Sequence, residues 1–412
     1  MAKLGLITIR YGTEINGGAE YHCRMLAERF AHNHEVDVLT TTIKRLNHPE
    51  DVFLAGESVL NKVNIRRFDT QEPNSNLRHQ FNKKSKIARK IRRTIYRFGL
   101  AKSIFSKYPV WKYKLQEETE LFKQHDFYSS DLLQFIEQNH QLYDVLLFFT
   151  YENPLTQLGS LIAPQKTILI PTAHLESMLF KSSTSVLFHT VRYIAFNTEA
   201  EQDMCLEIFS HQMAEHGVIG VAVEIAKSPQ WAHVQDKFKV TKPYLLYCGR
   251  ITQVKINNFL DYFIQFKKEH AIDLQLVLTG ENELETVAHE DIIYAGFVSE
   301  NEKIALIENC FAVVNPSLAE SLSLIALEAL TLGKPVIGNQ HSTVMVEHER
   351  RSHGAVQCYR DYASFKSIVL NLINQPEQLK TIAKKALEYV HSNYNWNIII
   401  AKFEGLFKKI IK

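Results

Sequence analysis

The chain has 412 residues, 45% of them hydrophobic and 22% charged, with a formal net charge of +2. These are globular proportions, the length suits two domains rather than one, and so small a charge sets up no field that demands nucleic acid. Five cysteines, Cys23, Cys205, Cys248, Cys310 and Cys358, are scattered with no CxxC pair, which argues against a disulfide framework or structural zinc and for reduced cytoplasmic thiols.

The opening "MAKLGLITIR" has neither an apolar signal core nor a small-residue cleavage site, so no secretory leader is expected. "LGLITIR", "EVDVLTT", "DVLLFFT", "KTILIPT" and "YIAFNT" read as buried parallel strands, with helices such as "GAEYHCRMLAERFAH" between them. Gly17 and Gly18 stand between the first strand and the first helix. Most such pairs are turns, but a loop without side chains also lets a phosphate reach the amides at a helix start.

Residues 71–130 interrupt this alternation as an insertion. Within it, residues 83–114 hold twelve Lys or Arg and no Asp or Glu, with Ile87, Ile91, Ile95 and Phe98 at helical spacing. Such a helix lies in an anionic bilayer interface, grips an anionic acceptor, or forms a solvated arm; the charge bias favours the membrane. No RNA-binding module accompanies the charge. The longest uncharged apolar run, "VLLFFTY" at 145–151, has the length of a strand, and none nears the about 20 residues of a spanning helix. His174, in "ILIPTAHLESMLF", sits directly beyond a strand end; a lone histidine there is more often structural than catalytic.

The stretch "AVEIAKSPQWAHVQDKFKVTKP", near residues 222–242 and closing on Pro243, is polar, contains two prolines and lacks periodicity, which marks a junction between domains. Beyond it, "YLLYCGR", "LQLVLTG", "IIYAGFV", "FAVVNP" and "KPVIGN" are again buried strands. The expected architecture is α/β: two Rossmann-like doubly wound domains, residues 1–222 and 223–393, facing across a cleft, with ligands at the carboxyl ends of the strands. The final amphipathic helix, 394–412, is expected to pack back on the first domain.

The second half carries the chemistry. Gly249, Arg250 and Lys255 follow a strand end, where a guanidinium fork and an ammonium suit a diphosphate as well as they suit solvent. Glu320 precedes a helix expected to start at Ser321, Leu322 or Ser323, whose free amides favour an anion. Glu328 lies eight residues on, roughly 80° around the helix and more than ten Å along it. These two carboxylates therefore share no proton, but they suit the two ends of an elongated ligand bearing vicinal hydroxyls. Alone, they read better as a helix-start acid and a residue of the solvated face. No DxD, HExxH or Cys/His cluster occurs, so no metal and no cofactor is expected.

Taken together, Arg250 and Lys255, then Gly296-Phe297, then "PSLAESLSLIALEAL" with its Glu-x7-Glu spacing, then "GKPVIG", resemble family 4 of the retaining glycosyltransferases, across residues 244–339. "YDVLLFFTYENPLTQLG", "PTAH" and "FNTEAE" resemble a bacterial subgroup that builds surface polysaccharides. The resemblance implies a GT-B fold and a metal-independent transfer from a UDP- or GDP-linked sugar to a glycan or lipid-linked acceptor. It places Arg250 and Lys255 on the donor diphosphate, Glu320 on the donor sugar and Glu328 on the ribose. Gly296, Phe297 and Val298 would lie beside the base, Gly17 and Gly18 near the phosphates, and His174 beside the transferring sugar. Two departures stand out: Ile256 where the family often has Gly, and Leu175 between His174 and the acidic Glu176. The implied location is cytoplasmic or peripheral on the inner membrane face, with no nucleic-acid partner. The rivals are a nucleotide-sugar epimerase or glycan phosphorylase on the same fold, and a non-catalytic glycan-binding or partner subunit. For an epimerase, no convincing acid–base pair of carboxylates is visible in the first domain.

Overall fold

The computed structural model describes residues 1–15, 17–45 and 48–411, and the chain divides into two compact units. The first comprises Met1–Gly220 and Ile400–Lys412, the second Val221–Ile399.

In the first unit the strands are β1 (Lys3–Ile7), β2 (Glu35–Thr41), β3 (Ile43–Arg45), β4 (His48–Val52), β5 (Gly56–Leu60), β6 (Val63–Phe68), β7 (Val145–Phe149), β8 (Thr167–Ile170), β9 (Tyr193–Phe196) and β10 (His216–Val218). Its helices are α1 (Gly18–Phe30), α2 (Ser75–Arg97), α3 (Ala101–Lys107), α4 (Leu115–Lys123), α5 (Ser130–Asn139), α6 (Ser182–Thr190) and α7 (Glu199–Phe209). Eight strands form one sheet in the order β10-β9-β8-β7-β1-β2-β6-β5, parallel except for β5, while β3 and β4 pair as a separate hairpin. The continuous apolar runs follow from this placement: every residue of β7 is fully buried, because helices cover both faces of a parallel sheet. From β1 the chain winds outward to β2 on one side and to β7 on the other, so the switch point of this sheet lies between β1 and β7.

Every element between 75 and 123 is helical, and the described region adds no strand to the sheet. Asn74 caps α2 by accepting from the amides of Asn76 and Leu77. The helix docks through Ser85, Ala88 and Arg92. Arg92 is fully buried; it donates to the carbonyls of Leu179 (3.3 Å), Lys181 (3.1 Å) and Ile208 (3.4 Å) and lies over the rings of Phe105 and Phe209. Burial pulls its pKa down to about 9. Ile87, Ile91 and Phe98 face away from this contact and are exposed.

The second unit holds β11 (Tyr244–Cys248), β12 (Gln275–Thr279), β13 (Ile292–Gly296), β14 (Ala312–Asn315), β15 (Val336–Asn339) and β16 (Val356–Tyr359). Its helices are α8 (Trp231–Phe238), α9 (Gln253–Ile256), α10 (Phe259–Glu269), α11 (Glu300–Asn309), α12 (Leu324–Thr331), α13 (Thr343–Arg351), α14 (Tyr362–Asn374) and α15 (Pro376–Asn393). The order β13-β12-β11-β14-β15-β16, all parallel, is that of a dinucleotide-binding fold, with its switch point between β11 and β14. The last helix, α16 (Trp396–Ile411), sets Phe403 and Phe407 edge-on against Phe30 of α1, and Glu404 pairs with His34 at 2.7 Å.

Two expectations are corrected. The stretch 222–242 is not without structure: α8 lies in it, with Val234 and Phe238 buried and Trp231 stacked on Tyr244. α12 begins at Leu324, just beyond the expected start, because Ser323 sits in the left-handed region (φ +67°) as its N-cap.

Candidate functional site

The switch point of the second unit gathers Lys255 and Glu320. β11 ends at Cys248 and the chain turns through Gly249. The next loop lies so close that a Cβ on Gly280 would sit 2.2 Å from the carbonyl oxygen of Gly249. Only glycine fits there, and the contact locks the loops after β11 and β12 together. Thr252 caps α9, which carries Lys255 toward the loop after β14. The Lys255 ammonium donates to Glu320 Oε1 (2.9 Å), to Ser317 Oγ (3.3 Å) and to the Ala319 carbonyl (3.4 Å). Asn315 fixes that loop from both ends: its Oδ1 accepts from the Ser317 amide (3.1 Å) and its Nδ2 donates to Ser323 Oγ (2.7 Å). His348, buried between Tyr389 and the Leu322 carbonyl, holds the far side, and burial keeps its pKa low. Ile256, where a glycine was expected, is buried, and the positive φ falls one residue later at Asn257.

Arg250 flanks this pair with its side chain 58% exposed and its guanidinium 4.0 Å from Glu283. That exposure leaves it available to a ligand.

Glu328 does not lie on a solvated face. Its side chain is 2% exposed, and its carboxylate accepts from Lys303 of α11 at 2.8 Å, while Lys303 also pairs with Glu300. Burial raises the Glu328 pKa and Lys303 opposes that rise. A buried carboxylate in an apolar helix therefore has its partner 25 residues upstream in the sequence. Gly296, at the end of β13, accepts from the Gly280 amide (2.7 Å); Phe297 beside it is exposed and Val298 is buried. This trio stands at the sheet edge, separated from β11 by β12.

In the first unit, Gly18 opens α1 and Gly17 caps it. A Cβ on Gly17 would collide with the Glu20 carboxylate, which is itself held by buried Arg10 (Nε, 2.9 Å). His174 follows β8, half-exposed, with Nε2 3.9 Å from Glu176. Ligand atoms of Glu152, His174 and Glu176 all lie within 4.8 Å of one another, so the expected lack of a candidate metal-ligand group does not hold in space. It escaped the sequence because its members leave two different strands, β7 and β8. Tyr151 donates to Glu176, and the Glu152 carboxyl is pushed up to about 9 by burial and by its hydrogen bond to Glu176. Thr150 (φ +64°) and Thr172 (φ +52°), β-branched residues in the left-handed region, mark strain at both strand ends. Glu201 fastens the His174 loop by accepting from the amides of Ala173 and Asn197.

Two Rossmann-like parallel sheets of these orders define the α/β GT-B fold. The chain aligns over its whole length with solved glycosyltransferases. Sucrose-phosphate synthase from Thermosynechococcus elongatus superposes with a TM-score of 0.67 at 14% identity, covering 100% of this chain and 99% of that one. Anabaena HepE in complex with UDP and glucose superposes with a TM-score of 0.66 at 14% identity, covering 99% and 100%. Residues 242–375 match the family described as "Glycosyl transferases group 1". Glycosyltransferase 1 domain-containing protein 1 of Xenopus tropicalis is 26% identical over 168 residues, 38% of this chain and 47% of that protein. Glycogen synthase of Mycobacterium tuberculosis is 22% identical over 207 residues, 48% and 49% respectively. The chain thus matches about half the length of these curated relatives.

Proposed function

We propose that the protein is a metal-independent, retaining glycosyltransferase that moves a sugar from a nucleotide diphosphate donor to a glycan or lipid-linked acceptor in bacterial surface polysaccharide synthesis. The observation that carries this reading is the Lys255–Glu320 pair at the switch point between β11 and β14, with Arg250 exposed beside it. A diphosphate draws the two cations, and Glu320 accepts from the hydroxyls of the transferred sugar. The donor would rest on residues 223–393 and the acceptor on residues 1–222. Retention and the surface-polysaccharide role rest on the family resemblance. Gly296, Phe297 and Val298 as base contacts, Glu328 as ribose contact, and His174 with Gly17 and Gly18 near the donor sugar belong to the same proposal. Glu328 would reach a ribose only by sharing its carboxylate with Lys303.

The test is a panel of UDP- and GDP-linked sugars screened by thermal shift, then turnover with chelator present. The true donor raises the melting temperature by mass action. Turnover that persists in chelator, with inverted product absent, supports the full reading; strict dependence on an added divalent ion removes its metal-independent part.

A peripheral membrane location has its own support. The outer face of α2 exposes Ile87 and Ile91 among Lys83, Lys86 and Lys90, with Phe98 just beyond it 75% exposed. No described helix is long and apolar enough to cross a membrane.

A second reading is favoured by Glu152 and Glu176. A proton-sharing carboxylate pair in the first unit is what an epimerase of this fold needs, and the sequence alone did not suggest it. Incubation of each nucleotide sugar without acceptor separates the two: an epimerised nucleotide sugar supports the second reading, free nucleotide with added acceptor the first.

A further inference from the structure

The switch point of the first sheet opens into a pocket of about 350 Å³, within the range of small-ligand sites, about 300–1,000 Å³. Ile9, just beyond β1, and Thr150 and Glu152, just beyond β7, form one side. Arg78, Asn82 and Arg89 of α2 form another. At about 100° per residue these three fall within roughly 40° of one another on the helix, so one face of α2 aims two guanidinium groups and an amide at the same space.

The charges in this pocket are unbalanced. Arg78 pairs with Asp126 at 3.1 Å. Arg89 makes no ion pair or hydrogen bond among the described residues. Lys181 lines the pocket with 4% exposure, yet its ammonium likewise has no ion-pair or hydrogen-bond partner there; it rests over the Phe122 ring, 4.4 Å from the centroid. Glu118, the acid that acts most strongly on it, accepts from the Ser183 amide through one oxygen (2.9 Å) and buries the other without a hydrogen bond. Burial lowers the Lys181 pKa to about 8 and Glu118 pulls it back up. The one carboxyl in the lining, Glu152, stands against three cationic side chains, Arg78, Arg89 and Lys181. The pocket is therefore net cationic, and a buried ammonium without an acceptor is costly unless a ligand supplies one. Phe122, Phe127 and Met178 add apolar walls.

We propose that this pocket binds a phosphate or diphosphate ester group on the acceptor, gripped by Arg89 and Lys181 with Arg78 and Asn82 beside them. A tetrahedral dianion has enough oxygens for several donors at once, which a single carboxylate lacks. The word acceptor rests on the glycosyltransferase reading; the phosphate site itself does not. The ester is carried either by a free sugar or by a lipid.

The experiment uses the full chain saturated with UDP, so that the second unit is occupied, and isothermal titration with three probes: glucose 1-phosphate, decyl phosphate and decyl glucoside. The expected result is binding of one or both phosphate probes and none of the glucoside. Glucose 1-phosphate binding tighter marks a free sugar phosphate, decyl phosphate binding tighter a lipid-borne one. R89A and K181M should each weaken that binding by about tenfold or more, while UDP affinity stays within about twofold. If K181M fails to fold, R89A, on a half-buried side chain, decides alone. The proposal is overturned if decyl glucoside binds as well as decyl phosphate, if R89A leaves phosphate binding unchanged, or if R89A weakens only binding to phosphatidylglycerol vesicles. A chain that binds phosphate but neither UDP nor GDP sinks the glycosyltransferase reading and leaves the pocket standing.

Discussion

The switch points of the two sheets treat charge in opposite ways. In the second unit Lys255 pairs with Glu320 and Lys303 with Glu328. In the first, neither Arg89 nor Lys181 makes a direct ion pair among the described residues, while Glu152 and Glu176 crowd together and hold a proton. Paired charges form a pre-organised site whose geometry survives without ligand. Charges without a direct pair, as in the pocket proposed for a phosphate ester, would have their electrostatics completed by what enters.

The sharpest way to break this contrast is Glu320→Ala, which we expect to lower transfer by about a hundredfold or more while shifting the urea midpoint little, since a half-exposed pair contributes only about 1 kcal/mol. Near-normal steady-state rates would mean that the pair is scaffold and not site. Glu328→Ala should do the reverse at the level of folding, costing about 3 kcal/mol by chemical denaturation, because Lys303 is left buried with only Glu300. An unchanged midpoint would show that Lys303 escapes to solvent.

The third effect is a pH dependence. The folded chain keeps a proton on Glu152 up to about pH 9, whereas the unfolded chain releases it near the ordinary value of 4.5. Stability from this group is complete below pH 4.5 and declines as pH rises toward 9, by up to about 1.4 kcal/mol per unit. Glu152→Gln should flatten the curve between pH 5 and 9 and make the variant the more stable chain at pH 8. A parallel decline in both proteins would place the proton elsewhere. The smallest effect is expected from Ile87→Ser, which should weaken binding to anionic vesicles by no more than about tenfold and leave folding unchanged. Equal vesicle binding would reduce α2 to a solvated arm.

Much of the fold was legible because parallel strands buried on both faces write themselves as unbroken apolar runs; all ten runs read as strands are strands. What was missed had weaker marks. β16, "VQCY", is short and half polar, and β5, "GESVL", is an exposed antiparallel edge with no apolar run at all. Of the candidate site, the sequence could propose residues that lie close together in the chain, as with Arg250 and Lys255, or Glu320 and Glu328. The site was not legible where partners come from different elements. Nothing near Glu328 announces Lys303, and Glu152 gains meaning only when β7 and β8 lie side by side. The pocket of the first unit needed the packing of α2 against the sheet, which composition cannot supply.

Arg92 gives α2 a further property. Because a guanidinium keeps its proton even when desolvated, and three carbonyls and two rings enclose this one, the helix is moored before any surface is met. Many basic segments are coils in water and lose conformational freedom on landing at a bilayer. On the proposed membrane reading that loss occurs during folding, so Ile87, Ile91 and Phe98 would meet a lipid headgroup layer as a rigid keel, and landing should leave the helix content of the protein unaltered.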